Sequence, residues 1–138
     1  MKLIDRAIQD LGTKEIPGPS NNPKVMQFLQ HLDPKIKEES ASWCSAALNY
    51  WAKECNLPLS GSLAARSWLK VGTKTLTPTR GNDIVILWRE SPQSWKGHVG
   101  IYFHHNKEEV WILGGNQSDE VNISRFPISR VLEFRTLS

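Results

Sequence analysis

At Gly81 the hydrophobic rhythm of this chain changes, and that change restricts the folds open to it. Before Gly81, apolar residues recur at helical spacing. After it they gather in short β-rich runs, each bounded by turn residues. The runs read "DIVILW", "HVGIYFHH", "EEVWILGG", "EVNISRF" and "RVLEFR". Helices first and strands later is the signature of an α+β domain, in which helices cover a face of a sheet built from sequential strands. The expected architecture is a set of N-terminal helices packed on an antiparallel meander of five or more strands. No internal repeat, low-complexity tract or linker divides it, so residues 1–138 read as a single domain.

The helical half carries its own punctuation. Residues 2–11 place Leu3, Ile4, Ala7, Ile8 and Leu11 on one side, and Gly12 stops the pattern. "TKEIPGPSNNP" follows as a loop. Asn22 and Pro23 then form a cap and first-position pair for a second helix carrying Val25, Met26, Phe28, Leu29 and Leu32. After the charged connector "KIKEES", Ser42 is placed to cap a third helix. That helix runs to about Glu54 with Cys44 in its first turn. "SLAARSWLKVG" reads as a fourth, short helix.

Composition excludes several classes. With 39% hydrophobic and 22% charged residues, this is an ordinary globular balance. No apolar run approaches the roughly 18 residues of a membrane span. The start, "MKLIDRAIQDLG", carries Asp5, Arg6 and Asp10 and lacks the apolar core of a secretory signal. The protein is therefore expected to be made in the cytoplasm and to reach any outside target through another machine. The net charge of +3 comes without a Lys/Arg run, so no nucleic-acid partner is expected. Six tryptophans suit a sugar or peptide groove, though packing in the core and rim accounts for any one of them.

Two residues carry the question of chemistry. Cys44 and Cys55 lie three helical turns apart, ~16 Å along the axis. A disulfide needs Cα atoms within about 7 Å. Two cysteines without histidines at ligand spacing make no zinc site either. That leaves Cys44 as an inert core residue or as a nucleophile. A thiol at a helix N-terminus lies in the positive end of the helix dipole, which favours the thiolate. A nucleophilic thiol needs a base. Among His31, His98, His104 and His105, only His98 opens a strand between glycines, in "GHVGIY". Gly97 and Gly100 leave room there for another element to approach. A hairpin about "NK" would bring Gly114, Gly115 and Asn116 level with His98, with the Asn116 carbonyl able to orient the ring. Each residue alone has an ordinary reading: a buried Cys, a satisfied strand His, a turn Asn. The conjunction in the order Cys, His, Asn favours chemistry.

"WCSAALNYW", "GNDIVIL", "GHVGIY" and "LGGNQS", together with the leading "GTKEIPGPSNNP" and the middle "ARSWL", resemble the papain-like cell-wall hydrolases. These comprise the CHAP domains and the NlpC-type peptidases, here in a small single-domain bacterial and phage form. The resemblance covers residues 10 to 135. Gly114 stands where many CHAP domains carry an acidic residue, and Asn116 where NlpC-type enzymes often carry histidine. The resemblance implies a papain-like fold with Cys44 as nucleophile, His98 as base and Asn116 as third polar residue, acting without metal or cofactor. It implies a monomeric peptidoglycan amidase or endopeptidase, delivered by phage lysis or secretion, with an inhibitory immunity protein as partner if it is a secreted toxin. Two other readings compete. A glycoside hydrolase would use Glu15 as acid, but no clear carboxylate partner is visible, since Asp83 begins a strand and Asp119 lies in a turn. A non-catalytic wall-binding module would carry the thiol site as a vestige.

Overall fold

A computed structural model describes residues 1–16, 22–35 and 43–138. It is an α+β domain. Three helices come first: α1 (Leu3–Ile8), α2 (Pro23–Leu32) and α3 (Cys44–Glu54). A 3₁₀ segment, Ala65–Lys70, leads to six strands. These are β1 (Thr73–Thr75), β2 (Asp83–Trp88), β3 (Gly97–His105), β4 (Glu109–Gln117), β5 (Glu120–Pro127) and β6 (Val131–Thr136). All neighbours pair antiparallel, in the order β1-β6-β2-β3-β4-β5.

The five runs read as strands are strands, but they are not a simple meander. β2 to β5 follow one another, and β6 then crosses back to the far side of β2. The reason lies in β2 itself, which is buried on both faces. Ile84 and Ile86 point one way, Val85 and Leu87 the other, and all four are fully buried. Such a strand belongs in the middle of a sheet, with a partner on each edge. β1 was not foreseen, because three residues are too few to show an alternation.

The helices cover one face. Ile84, Ile86, Val99, Ile101, Leu113 and Val121 meet Leu3, Phe28, Leu48 and Trp51 in the larger core. A smaller cluster, Val85, Leu87, Tyr102, Val110 and Ile112, lies on the opposite face under Phe126 and Phe134. Asn22 caps α2 as expected, its Oδ1 accepting from Lys24 N at 2.8 Å. Ser42, the expected cap of α3, lies outside the described residues; the N-cap position of α3 is held by Trp43.

The predicted fourth helix is only a 3₁₀ segment, and tertiary bonds explain why. The chain before it is pinned to α3 by Asn49, whose Oδ1 accepts from Ser60 N and Gly61 N at 3.0 Å each. Ser45 Oγ donates to Ser62 O and accepts from the Trp68 indole at 2.9 Å. Gly72, at φ +70, ends the segment, leaving too little length for a regular helix. Within it, Arg66 holds the β2–β3 connection. Its guanidinium donates to Lys96 O at 2.8 Å, Pro92 O at 2.8 Å and Ser91 O at 3.0 Å. The residues leading into His98 are thereby fixed from the helical half.

Candidate active site

Cys44 is the first residue of α3 and 3% exposed. Trp43 before it is fully buried. Its indole N–H donates to the Glu15 carboxylate, and its ring stacks on Phe28 with centroids 6.1 Å apart. The ring also lies against Gly115 of β4. A Cβ there would come within 2.6 Å of it and 3.1 Å of the Ala47 side chain. Gly115 is thus the glycine that admits the helix start to the sheet. The sequence assigned that task to Gly97 and Gly100. The structure places Leu87 O and Arg66 against Gly97, and Ile112 with Leu113 O against Gly100, so those two make room for neighbouring strands and the Arg66 clamp.

His98 is the second residue of β3, 7% exposed. It interacts with Cys44 both by charge and by hydrogen bond. Its Nε2 lies 2.9 Å from Gln117 Oε1. The Gln117 amide is oriented by its other contacts: its NH₂ donates to Ile112 O at 3.1 Å, Asn122 O at 2.8 Å and Asn122 Oδ1 at 2.9 Å. All three are oxygens, so the amide oxygen must face the ring, and Nε2 must carry the hydrogen. That leaves Nδ1 as the basic nitrogen for the thiol. Burial pulls the His98 pKa down, but attraction to the Cys44 thiolate and hydrogen bonds from the ring to Cys44 and Gln117 outweigh it, and the net direction is up from 6.5. The nearby Arg130 charge opposes the rise. The attraction to Cys44 works against the cost of burying the two charges.

The acceptor of the Nε2 hydrogen bond is Gln117, one residue beyond the predicted orienter. β3 and β4 pair with Ile101 opposite Leu113. Continued to the start of β3, that register sets His98 opposite Asn116, as the hairpin argument supposed. But Asn116 adopts φ +57, and the β4–β5 register shifts between Gly114 and Gln117. This bulge advances the side-chain phase by one residue. Gln117 turns under His98, and a Cβ on Gly114 would sit 2.8 Å from its Oε1. Asn116 lies at the wall of the adjoining cavity.

The other candidates are elsewhere. His105 Nδ1 lies 2.7 Å from the Tyr102 hydroxyl, and His104 packs on Trp111 with centroids 5.2 Å apart. His31 meets the edge of Tyr50, and burial, then Lys53, lowers its pKa. Cys55 is free and caps the C-terminal end of α3. Among the three carboxylates, Glu15 holds the Trp43 indole, and Asp83, 5% exposed, accepts from Thr79 N at 2.7 Å. Asp119 sits exposed in a left-handed turn at φ +64. Among the described residues, no group of three or more His, Cys, Asp or Glu is placed to hold a metal ion.

His98, Asn116 and Gln117 face a cavity of about 860 Å³, whose wall also includes Phe126, Arg89 and Arg130. Phe126 packs on the imidazole with centroids 5.2 Å apart. The cavity opens on the ring and the amide, with the buried thiol paired to the ring behind them; a thiol, a ring base and an oriented amide are the groups that acyl transfer needs. No protein-family model matches this chain, and no curated protein matches it.

Proposed function

We propose that this chain is a papain-like cysteine amidase or endopeptidase that cleaves peptide amides of the bacterial cell wall. The observation that carries the reading is the Cys44–His98–Gln117 relay, in which the Gln117 amide sets the tautomer and the remaining ring nitrogen serves the thiol. The wall is chosen on the resemblance of "WCSAALNYW", "GHVGIY" and "LGGNQS" to CHAP and NlpC-type hydrolases.

The steps follow from the groups present. The Cys44 sulfur attacks the amide carbonyl carbon, forming a C–S bond. The oxyanion faces the start of α3, where the Cys44 backbone N–H is a natural donor. The C–N bond then breaks, and His98 gives its Nδ1 proton to the leaving amine. A water next loses a proton to His98 and attacks the thioester. The C–S bond breaks, the carboxylate product leaves, and the proton that His98 took from the water restores the starting thiol–imidazole pair. Among the described residues, no helix is long and apolar enough to cross a membrane. Delivery by phage lysis or secretion, and an immunity protein as partner, remain part of the proposal.

The burial of Cys44 at 3% exposure favours one other reading, a wall-binding module whose thiol is unused. The two part in one experiment. Purified peptidoglycan is digested with native protein, with Cys44→Ala, and with Cys55→Ala protein treated with iodoacetamide. New amino groups and muropeptide masses are then measured. Release by native protein alone supports the enzyme. Wall binding without release in all three samples supports the module.

A further inference from the structure

The amide that faces His98 is itself gripped, chiefly by one residue. Asn122 of β5 stands opposite Gly114, where the β4–β5 register breaks before Gln117. Its Oδ1 accepts from the Gln117 side-chain NH₂ at 2.9 Å, and its backbone O accepts from the same NH₂ at 2.8 Å. Its own NH₂ donates to the Gln117 backbone O at 2.9 Å. An NH₂ only donates and a carbonyl oxygen only accepts. The Gln117 backbone oxygen therefore orients the Asn122 amide, and the Asn122 amide orients that of Gln117. Ser124, on the wall of the cavity, holds the pair from outside, its Oγ donating to Asn122 Oδ1 at 2.6 Å.

The stretch so held is one that needs holding. Asn116, Ser118 and Asp119 take φ of +57, +52 and +64, a region that side chains disfavour. Gln117 lies among them, and the phase of the bulge is what turns its side chain under the ring. Asn122 bonds the backbone and the side chain of that one residue together. Ile112 O also accepts from the Gln117 NH₂, at 3.1 Å, but it reaches the side chain alone. Donation by the NH₂ also polarises the amide, which makes Oε1 a better acceptor for the ring.

We propose that Asn122 is a positioning residue of the thiol–imidazole site: by clasping Gln117 at backbone and side chain together, it keeps the Gln117 oxygen on His98 Nε2 and leaves Nδ1 to Cys44. The role is exerted through Gln117 and needs no contact between Asn122 and substrate. Its consequence for the rate of hydrolysis rests on the hydrolase reading, whereas the clasp acts on the thiol with or without substrate.

The test uses Cys55→Ala protein, whose one thiol is Cys44. It is alkylated with iodoacetamide across a range of pH, and the His98 ring is followed by NMR. Asn122→Ala in this background should slow alkylation near neutral pH by roughly three- to tenfold, the worth of a neutral hydrogen bond. The His98 titration should move down. The charges that face the ring, Cys44 and Arg130, are left in place by the substitution. Asn122→Ala should add nothing once Gln117 is alanine, because a residue acting through Gln117 has then lost its route. Should the alanine variant fail to fold, Asn122→Thr carries the same expectations, since threonine favours a strand but cannot span both contacts. Urea unfolding is measured on each variant. A folded variant that is merely less stable, with alkylation and titration unmoved, overturns the role. So does a slowing that persists undiminished in Gln117→Ala protein. Digestion of peptidoglycan separates the two readings. If native protein releases no amino groups but Asn122→Ala still slows alkylation through Gln117, the hydrolase falls and the clasp stands. Release by native protein, with alkylation unmoved in Asn122→Ala, removes the clasp and leaves the hydrolase.

Discussion

Cys44 and Cys55 bracket a single helix, and nearly everything around them differs. Cys44 is the first residue of α3, behind a buried tryptophan and against an imidazole. Cys55 is the cap at the other end, half-buried, with Arg6, Glu54 and Asp5 as its charged surroundings. Burial raises the Cys55 thiol above 9.0, and its neighbours' opposing charges leave that direction unchanged. The helix dipole adds to the contrast, since its negative end disfavours a thiolate at the C-terminus. One residue type at two ends of one helix thus has two environments, and position decides which.

The largest effect belongs to Cys44. Cys44→Ala should abolish amide release from peptidoglycan while leaving the fold cooperative. Removing one small side chain at a helix start is expected to cost about 1 kcal/mol, read by thermal or urea unfolding. The same variant probes the pair. His98 is held up by the thiolate against burial, so without sulfur the burial effect should win and the His98 pKa should fall. Following the ring protons by NMR against pH checks this. An unmoved titration would mean that Cys44 and His98 do not form a pair.

His98→Ala comes next, at about 10² to 10⁴ in rate, because one ring serves as acid and then as base. The sign of the pH dependence follows from the raised pKa. The imidazolium that protonates the leaving amine should persist above 6.5, so kcat/KM should decline only at higher pH. The stability carried by the pair runs the same way. It is fully present below about 6.5, the unfolded value, and is lost as pH rises through the raised folded value. A decline in rate centred below 6.5 would contradict the pairing. The groups facing the ring are Cys44, Gln117, Phe126 and Arg130; of these Cys44 raises the His98 pKa by its charge and Arg130 lowers it.

Where the sequence was legible, the reason was local. Asn22 and Pro23 announced α2 because cap chemistry involves only near neighbours. The β runs announced themselves through turn residues and branched side chains. The pairing of Cys44 with His98 was legible from types, a cysteine at a helix start and a histidine between glycines. What escaped was set by distant contacts. The crossing of β6 depends on β2 being buried on both faces. The weak fourth helix depends on Asn49, and the room for α3 depends on Gly115. The third polar residue escaped by a single step. Counting along a regular hairpin reaches Asn116, and only the bulge shifts the phase to Gln117. Two amides side by side in "GGNQS" were the available signal, but a count could not choose between them.

That step can itself be tested. Gln117→Ala should lower kcat/KM by roughly 10- to 100-fold, the worth of a hydrogen bond to a charged ring. As a positioning residue it should also shift the pH profile, because the Nε2 hydrogen bond that helps raise His98 is gone. Asn116→Ala is a poor comparison, since φ +57 strains alanine by roughly 1 kcal/mol or more. Asn116→Gly keeps the left-handed turn without that strain. It should stay within a few fold of native activity and leave the pH profile in place. A larger loss in Asn116→Gly than in Gln117→Ala would return the orienting role to Asn116.

The smallest effect is expected at the far end of α3. Cys55→Ala removes a thiol whose burial keeps it protonated at neutral pH, three turns along α3 from Cys44. Because the site is half-buried, the cost in stability should be about 1 kcal/mol, and hydrolysis should stay within a few fold. A loss of activity in a folded Cys55→Ala protein would erase the contrast between the two ends of the helix. Preserved activity leaves Cys55→Ala as the single-thiol background in which the rate of alkylation reports on Cys44 alone. In that background, alkylation should slow when His98 is replaced by alanine, since the imidazolium that favours the thiolate has been removed.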